Sequence, residues 1–105
     1  MYIYNVTTNV DESIHDTWMK WMHETHIPKV IEAGKFTKAL MTQVLVKEEM
    51  GGVTYSIQYT TDSKEKLEKY LLDEDQKLQN EGLKLFANKL GSFTTVMKIV
   101  NEYKN

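Results

Sequence analysis

The spacing of apolar residues divides the chain into strand-like and helix-like stretches that alternate in a particular order. Residues 2–8 (YIYNVTT) are β-branched and aromatic and read as a strand, ended by Asn9 and Asp11. Asp11 then offers an N-cap with Glu12 in the first turn. Ile14, Trp18, Trp21, Met22 and Thr25 keep the i, i+4, i+7, i+8, i+11 spacing of one helical face. Pro28 has no N–H for the carbonyl of residue 24 and its ring crowds that group, which predicts a break or kink between Thr25 and Ile27. A short turn, PKVIEA, restarts with Pro28 in its first position and closes at Gly34.

Phe36 to Lys47 and Val53 to Thr61 follow as two strand-like runs joined by EEMGG, where adjacent Gly51 and Gly52 allow the positive φ of a tight hairpin. In the second run Val53, Tyr55, Ile57 and Tyr59 alternate with Thr54, Ser56, Gln58 and Thr60, so one face is apolar and the other polar. Asp62 or Ser63 caps a long helical region with Leu67, Tyr70, Leu71, Leu78, Leu85 and Phe86 as its buried stripe. Glu65 with Lys69 and Asp73 with Lys77 pair on the wet side. Asp73 or Gly82 marks a bend, Gly91 ends the helix, and Ser92 to Val100 forms a last strand before the polar tail NEYKN.

This order, βαββαβ in one domain spanning residues 1–105, predicts an α+β, ferredoxin-like fold: a four-stranded antiparallel sheet with two helices on one face. The other face is then bare. Met, Val and Tyr side chains on it would lie in water, so the expected partner is a second copy, in a homodimer built through the sheet faces.

Composition narrows the remaining choices. At 41% hydrophobic and 27% charged, the chain reads as an ordinary soluble globular protein with one core. It has no cysteine, which excludes disulfides, thiolate metal sites and cysteine nucleophiles. All 13 basic residues are lysines and the net charge is -2, so nucleic acid is not an expected partner. The start MYIYNVTTNVDE lacks the cationic and apolar blocks of a signal peptide, and no uncharged apolar run is long enough to cross a bilayer. A cytoplasmic location with no membrane partner is therefore expected.

Candidate chemistry gathers in Trp18 to Pro28, WMKWMHETHIP. A helix interrupted by proline frees backbone carbonyls beside a large apolar surface, the mixture that small-molecule sites show. The expected site lies between the end of the first helix and the sheet. Trp18, Trp21, Met22 and Tyr55 or Tyr59 would be its apolar walls, and His23, His26 and Gln58 its polar groups. His23 and His26 are the candidate catalytic residues, because imidazole titrates near neutral pH. The plainer reading makes the tryptophan–methionine stripe core, His23 solvated and His26 a hydrogen-bonding partner of the kinked backbone. Asn5, Gln43, Ser56 and Gln58 need partners wherever they are buried.

Metal binding finds less support. In an unbroken helix His15 and His26 would point within about 20° of each other, but His26 sits at the proline and there is no H-x-x-x-H spacing, so no metal is expected. Ser13, His15 and Asp16 crowd the helix start without a nucleophile elbow.

Several motifs together carry a resemblance over nearly the whole chain: MYIYNVT, WxxWMxxxHIPxV, GKFxxALMxxVLV, EEMGGVTYSIQY and EGLKLF. The chain resembles a bacterial family of short single-domain proteins classed only as a domain of unknown function. The resemblance implies a ferredoxin-like fold of the dimeric α/β-barrel type and brings no established activity. Relatives by fold include cofactor-free monooxygenases, haem-degrading enzymes, isomerases and ligand-sensing modules. The haem branch of that fold implies an asparagine on the first strand, a tryptophan on a strand and a histidine on the second helix. Asn5 matches, but both tryptophans lie on the first helix and residues 63–90 hold no histidine, so no cofactor is expected. The function expected is binding of a small hydrophobic molecule, extending to metal-free oxygenation or isomerisation. The alternative is a non-catalytic protein-interaction or ligand-sensing module.

Overall fold

The computed structural model describes residues 1–46 and 51–105. Four strands, β1 (Tyr2–Val10), β2 (Lys38–Gln43), β3 (Val53–Thr61) and β4 (Leu90–Lys98), form one antiparallel sheet in the order β2-β3-β1-β4. Between β1 and β2 run α1 (His15–Trp21), a five-residue π-helical segment (Met22–His26) and α2 (Ile27–Gly34); between β3 and β4 run α3 (Lys64–Asp73) and α4 (Asp75–Phe86). This is the ferredoxin-like α+β fold.

Strand pleating sorts the residues of the sheet. Tyr4 opposite Tyr59 and Val6 opposite Ile57 face the helices, with Val10 and Tyr55, and are buried there with Trp18, Met22, Val30, Leu67, Leu78 and Phe86. Asn5 opposite Gln58 and Thr7 opposite Ser56 occupy the other face. The bare face is therefore not the array of Met, Val and Tyr expected. Its centre is a polar strip in which the Ser56 hydroxyl donates to Asn5 Oδ1 at 2.6 Å and Asn5 Nδ2 donates to Thr7 at 2.9 Å. Leu40, Phe93 and Met97 stand exposed on the outer strands.

Several element boundaries differ from the sequence reading, each for a local reason. Strand β1 continues through Asn9, whose amide donates to the Thr54 hydroxyl at 3.1 Å. Asp11 caps only a 3₁₀ turn, Glu12–Ile14, by accepting from the Ser13 amide, and α1 starts after it. At the end of α2 the left-handed position belongs to Lys35 (φ 54°), not Gly34. Gly34 is needed because a Cβ there would collide with the Phe36 ring. Strand β2 is shorter than Phe36 to Lys47, and Lys47, Glu48, Glu49 and Met50 lie outside the described residues; Gly51 and Gly52 do take φ of 81° and 82°.

Ser63, not Asp62, caps α3. The helical region breaks at Glu74, which separates Asp73 from Lys77 and shifts the later helical phase, leaving Leu85 60% exposed. The i, i+4 ion pair formed on α3 is Lys64–Glu68 at 3.8 Å. Helix α4 ends at Phe86 with Ala87 at positive φ rather than at Gly91, so β4 begins two residues early. Among the described residues, no helix is long and apolar enough to cross a membrane.

Candidate functional site

The site begins with the way the chain accommodates Pro28. Instead of breaking, the helix widens: the Ile27 N–H reaches back five residues to the Met22 carbonyl, which closes the π segment just ahead of the proline. In an α-helix, residues five apart point about 140° away from each other. The i→i+5 ladder sets them one above the other instead. Trp21 and His26 consequently stack, with ring centroids 4.6 Å apart and planes 27° apart. The same shift turns His26 inward, to 6% exposure.

Buried there, the His26 ring finds no partner for Nδ1 among the described residues. Desolvation pulls its pKa down from 6.5 to about 4; the Glu81 and Asp75 carboxylates pull weakly upward and Lys29 weakly downward. At neutral pH His26 is thus a neutral imidazole with one N–H donor and one acceptor nitrogen.

Beside it lies a cavity of about 360 Å³ between α1, the π segment and α4 on one side and β1, β3 and β4 on the other. Trp18, Trp21, Met22, Val6, Ile57 and Tyr59 supply apolar walls; Thr8, His26, Asp75 and Gln79 supply polar ones. Its mouth lies among the exposed Gln76, Leu83, Ser92 and Thr94. Gly82 lets α4 come close: a Cβ there would stand 3.1 Å from the Trp21 ring.

Asp75, the first residue of α4, is the charged group of this cavity. Its Oδ1 accepts from the Tyr4 hydroxyl at 2.6 Å, and no cation pairs with it among the described residues. Burial first, and the Asp75 charge next, push the Tyr4, Tyr59 and Tyr70 hydroxyls well above the ordinary tyrosine range, so all three remain neutral. Lys29, whose charge acts on His26, is held by Glu81 at 3.0 Å on the surface.

Of the residues singled out from sequence, the structure brings together Trp18, Trp21, Met22, His26 and Tyr59 at this cavity. His23 is not among them; it is exposed on the solvent side of the π segment. Gln58 is also excluded, because it alternates with Ile57 and Tyr59 and so belongs to the opposite sheet face. Tyr55 packs on Trp18 at 5.4 Å, and its hydroxyl shares a 2.6 Å hydrogen bond with His15 Nε2 outside the cavity lining. No group of three or more histidine or carboxylate side chains among the described residues could hold a metal ion. Sequence reading missed Thr8, Asp75 and Gln79. The Tyr4–Asp75 bond spans 71 positions, and no local spacing announces it.

Residues 1–100 match the family described as Domain of unknown function (DUF4286), and the chain belongs to that family. None of the curated proteins matches it. Among solved structures, a candidate antibiotic biosynthesis monooxygenase from Deinococcus radiodurans is similar at TM-score 0.72 and 10% identity, covering 100% of this chain and 98% of the other. An ethyl tert-butyl ether D family protein from Bacillus halodurans C-125 gives 0.66 and 14%, covering 95% and 100%. A dimeric ferredoxin-like protein from an uncultured marine organism gives 0.68 and 18%, covering 99% and 98%. At such identities these likenesses show the fold alone.

Proposed function

We propose that this member of the DUF4286 family binds a small hydrophobic molecule in the cavity between the π segment, α4 and the sheet, and does so as a homodimer. The observation that carries the reading is the cavity beside His26: a buried, neutral imidazole stacked on Trp21 lies in its wall, with Nδ1 unpartnered among the described residues and closed off from solvent. Leaving such a group unpaired costs about 1–3 kcal/mol, which a hydrogen-bonding ligand would recover by turning the ring so that the nitrogen faces the cavity. The cavity volume of about 360 Å³ suits a small molecule, and stacked aromatic walls with few polar groups suit an apolar one.

Catalysis is the second reading: His26 is deprotonated at neutral pH, and because burial lowers its pKa to about 4 it is a weak base that takes a proton only where a bound ligand's negative charge raises that value. That chemistry fits isomerisation or cofactor-free oxygenation, and the fold likeness to a candidate monooxygenase is compatible with it. Incubating any ligand found in D₂O and in air separates the two readings: His26-dependent deuterium exchange or oxygenated product marks an enzyme, and unchanged ligand marks a binding or sensing module.

Support for the homodimer comes from shape. The chain exposes 7273 Å² of surface, against about 6100 Å² for a compact monomer of this mass, and β4 is exposed from Gly91 to Lys98. Leu40, Phe93 and Met97 on the open face supply apolar anchors around its polar strip. A dimer mass by light scattering at tens of micromolar, lost in Phe93→Asp, is expected; a monomer mass for the unmodified protein contradicts it.

Binding itself is tested by a fragment screen read through tryptophan fluorescence. Hits weakened by His26→Phe, which keeps a ring against Trp21, with no fall in Tm, support the site. Absence of hits, or hits indifferent to that substitution, contradict it.

A further inference from the structure

We propose that the cavity selects a hydrophobic amine, bound as its ammonium ion, and rejects carboxylates of the same shape. This rests on the reading of the cavity as a ligand site and adds the chemical class of its occupant.

Asp75 is a carboxylate on the cavity wall without a cationic partner among the described residues. A carboxylate can accept about four hydrogen bonds, and Asp75 draws on the Tyr4 hydroxyl at 2.6 Å with the Tyr70 hydroxyl also near it, but it has no ion-pair partner among the described residues. No lysine lines the cavity, and Lys29 is engaged by Glu81 at 3.0 Å. His26 supplies no positive charge at neutral pH, since burial keeps it neutral. The electrostatic character of the pocket is therefore set by one carboxylate in partly desolvated surroundings. An ammonium group entering it gains a charge-assisted hydrogen bond, whereas an anion meets a like charge that no lysine of the lining offsets.

The rest of the wall fits the same ligand. Trp18, Trp21, Met22 and Ile57 supply apolar surface that packs against the stem of such a ligand. Tyr4, Tyr59 and Tyr70 remain neutral beside Asp75, so none of them can neutralise it by proton exchange or add a competing charge.

Three probes of matched shape test the claim: 2-phenylethylamine, 2-phenylethanol and 3-phenylpropionate, each titrated into the full chain at pH 7.5 and followed by calorimetry and tryptophan fluorescence. The expected order is amine, then alcohol, then carboxylate, with the amine favoured over the carboxylate by about tenfold or more. Asp75→Asn, which keeps an acceptor for Tyr4, should erase that preference, and Asp75→Glu should retain it. Should Asp75→Asn fail to fold, the ratio of amine to carboxylate affinity in the unmodified protein decides the matter alone. Carboxylate binding equal to or tighter than amine binding, or an amine preference that survives Asp75→Asn, overturns the inference while leaving a His26-dependent ligand site intact. If none of the three probes binds at millimolar concentration and the fragment screen is also empty, the ligand-site reading falls with it.

Discussion

The layer between helices and sheet is filled at one end and open at the other. Under α2 and α3, Tyr4, Phe36, Tyr59 and Tyr70 form a cluster of four rings with centroids 5.3–6.5 Å apart, each at most 5% exposed. Under the π segment and α4, Trp18, Trp21 and Met22 border a cavity instead. Both ends are built from aromatic residues on regular elements, so composition does not separate them. Backbone irregularity does. At the filled end, Gly34 and the left-handed Lys35 let Phe36 drop onto the tyrosines. At the open end, the helix takes an extra residue into its turn ahead of Pro28, which stacks the buried His26 on Trp21. The filled end leaves the Tyr70 hydroxyl without a hydrogen-bond partner among the described residues; the open end leaves His26 Nδ1 without one and gives Asp75 no ion-pair partner there.

That contrast is broken most directly by truncation. Phe36→Ala at the filled end should cost about 3–5 kcal/mol in urea denaturation, and Trp21→Ala, half-buried beside the cavity, roughly half as much. Equal losses at the two positions would mean that the open end is packed as tightly as the other.

The next effect is in acid. His26 has a pKa of 6.5 unfolded and about 4 folded, so above pH 6.5 both states are neutral and the ring contributes no pH dependence. Below 6.5 the unfolded chain takes up a proton that the folded chain refuses, and stability falls until it levels off below pH 4. The loss should total about 3 kcal/mol and should disappear from the pH profile of His26→Phe. An unchanged profile in that variant would show that the ring is not desolvated.

Two glycines give the smallest but best-matched pair. Gly34→Ala drives a methyl group into the Phe36 ring and should destabilise by about 1–3 kcal/mol. In Gly82→Ala the new methyl meets only the edge of Trp21 at 3.1 Å, and alanine gains about 1 kcal/mol of helix propensity. Its Tm should therefore stay within a few degrees of the unmodified protein. A large loss at Gly82 would put α4 and Trp21 in rigid contact.

The order of elements was legible because alternation in β3 and the four-residue spacing around Trp18 are set by residues close in sequence. Face assignment on β1 was not, since Tyr2 and Tyr4 compete with Ile3, and only pairing with β3 decides it. The cavity walls on α1 and the π segment could be anticipated from the tryptophans. His26 was placed beside them from its position at Pro28, but the π turn that carries it there could not be anticipated, because a count in threes and fours has no place for an i→i+5 turn. Asp75 was hidden by the break at Glu74, which sets it on a new helix whose phase owes nothing to α3.

The measurement closest to the central claim uses the three histidines as mutual controls. Ring-nitrogen NMR of the chain is recorded free and saturated with a fragment hit or with 2-phenylethylamine. In the free protein His26 should stay neutral down to about pH 5, as a ring with its pKa lowered to about 4 must. On saturation its Nδ1 and Nε2 resonances should move while those of His15 and His23 hold still. Bound fragment with His26 unmoved, or shifts confined to His15 and His23, would place binding elsewhere and contradict the assignment of this cavity as the ligand site.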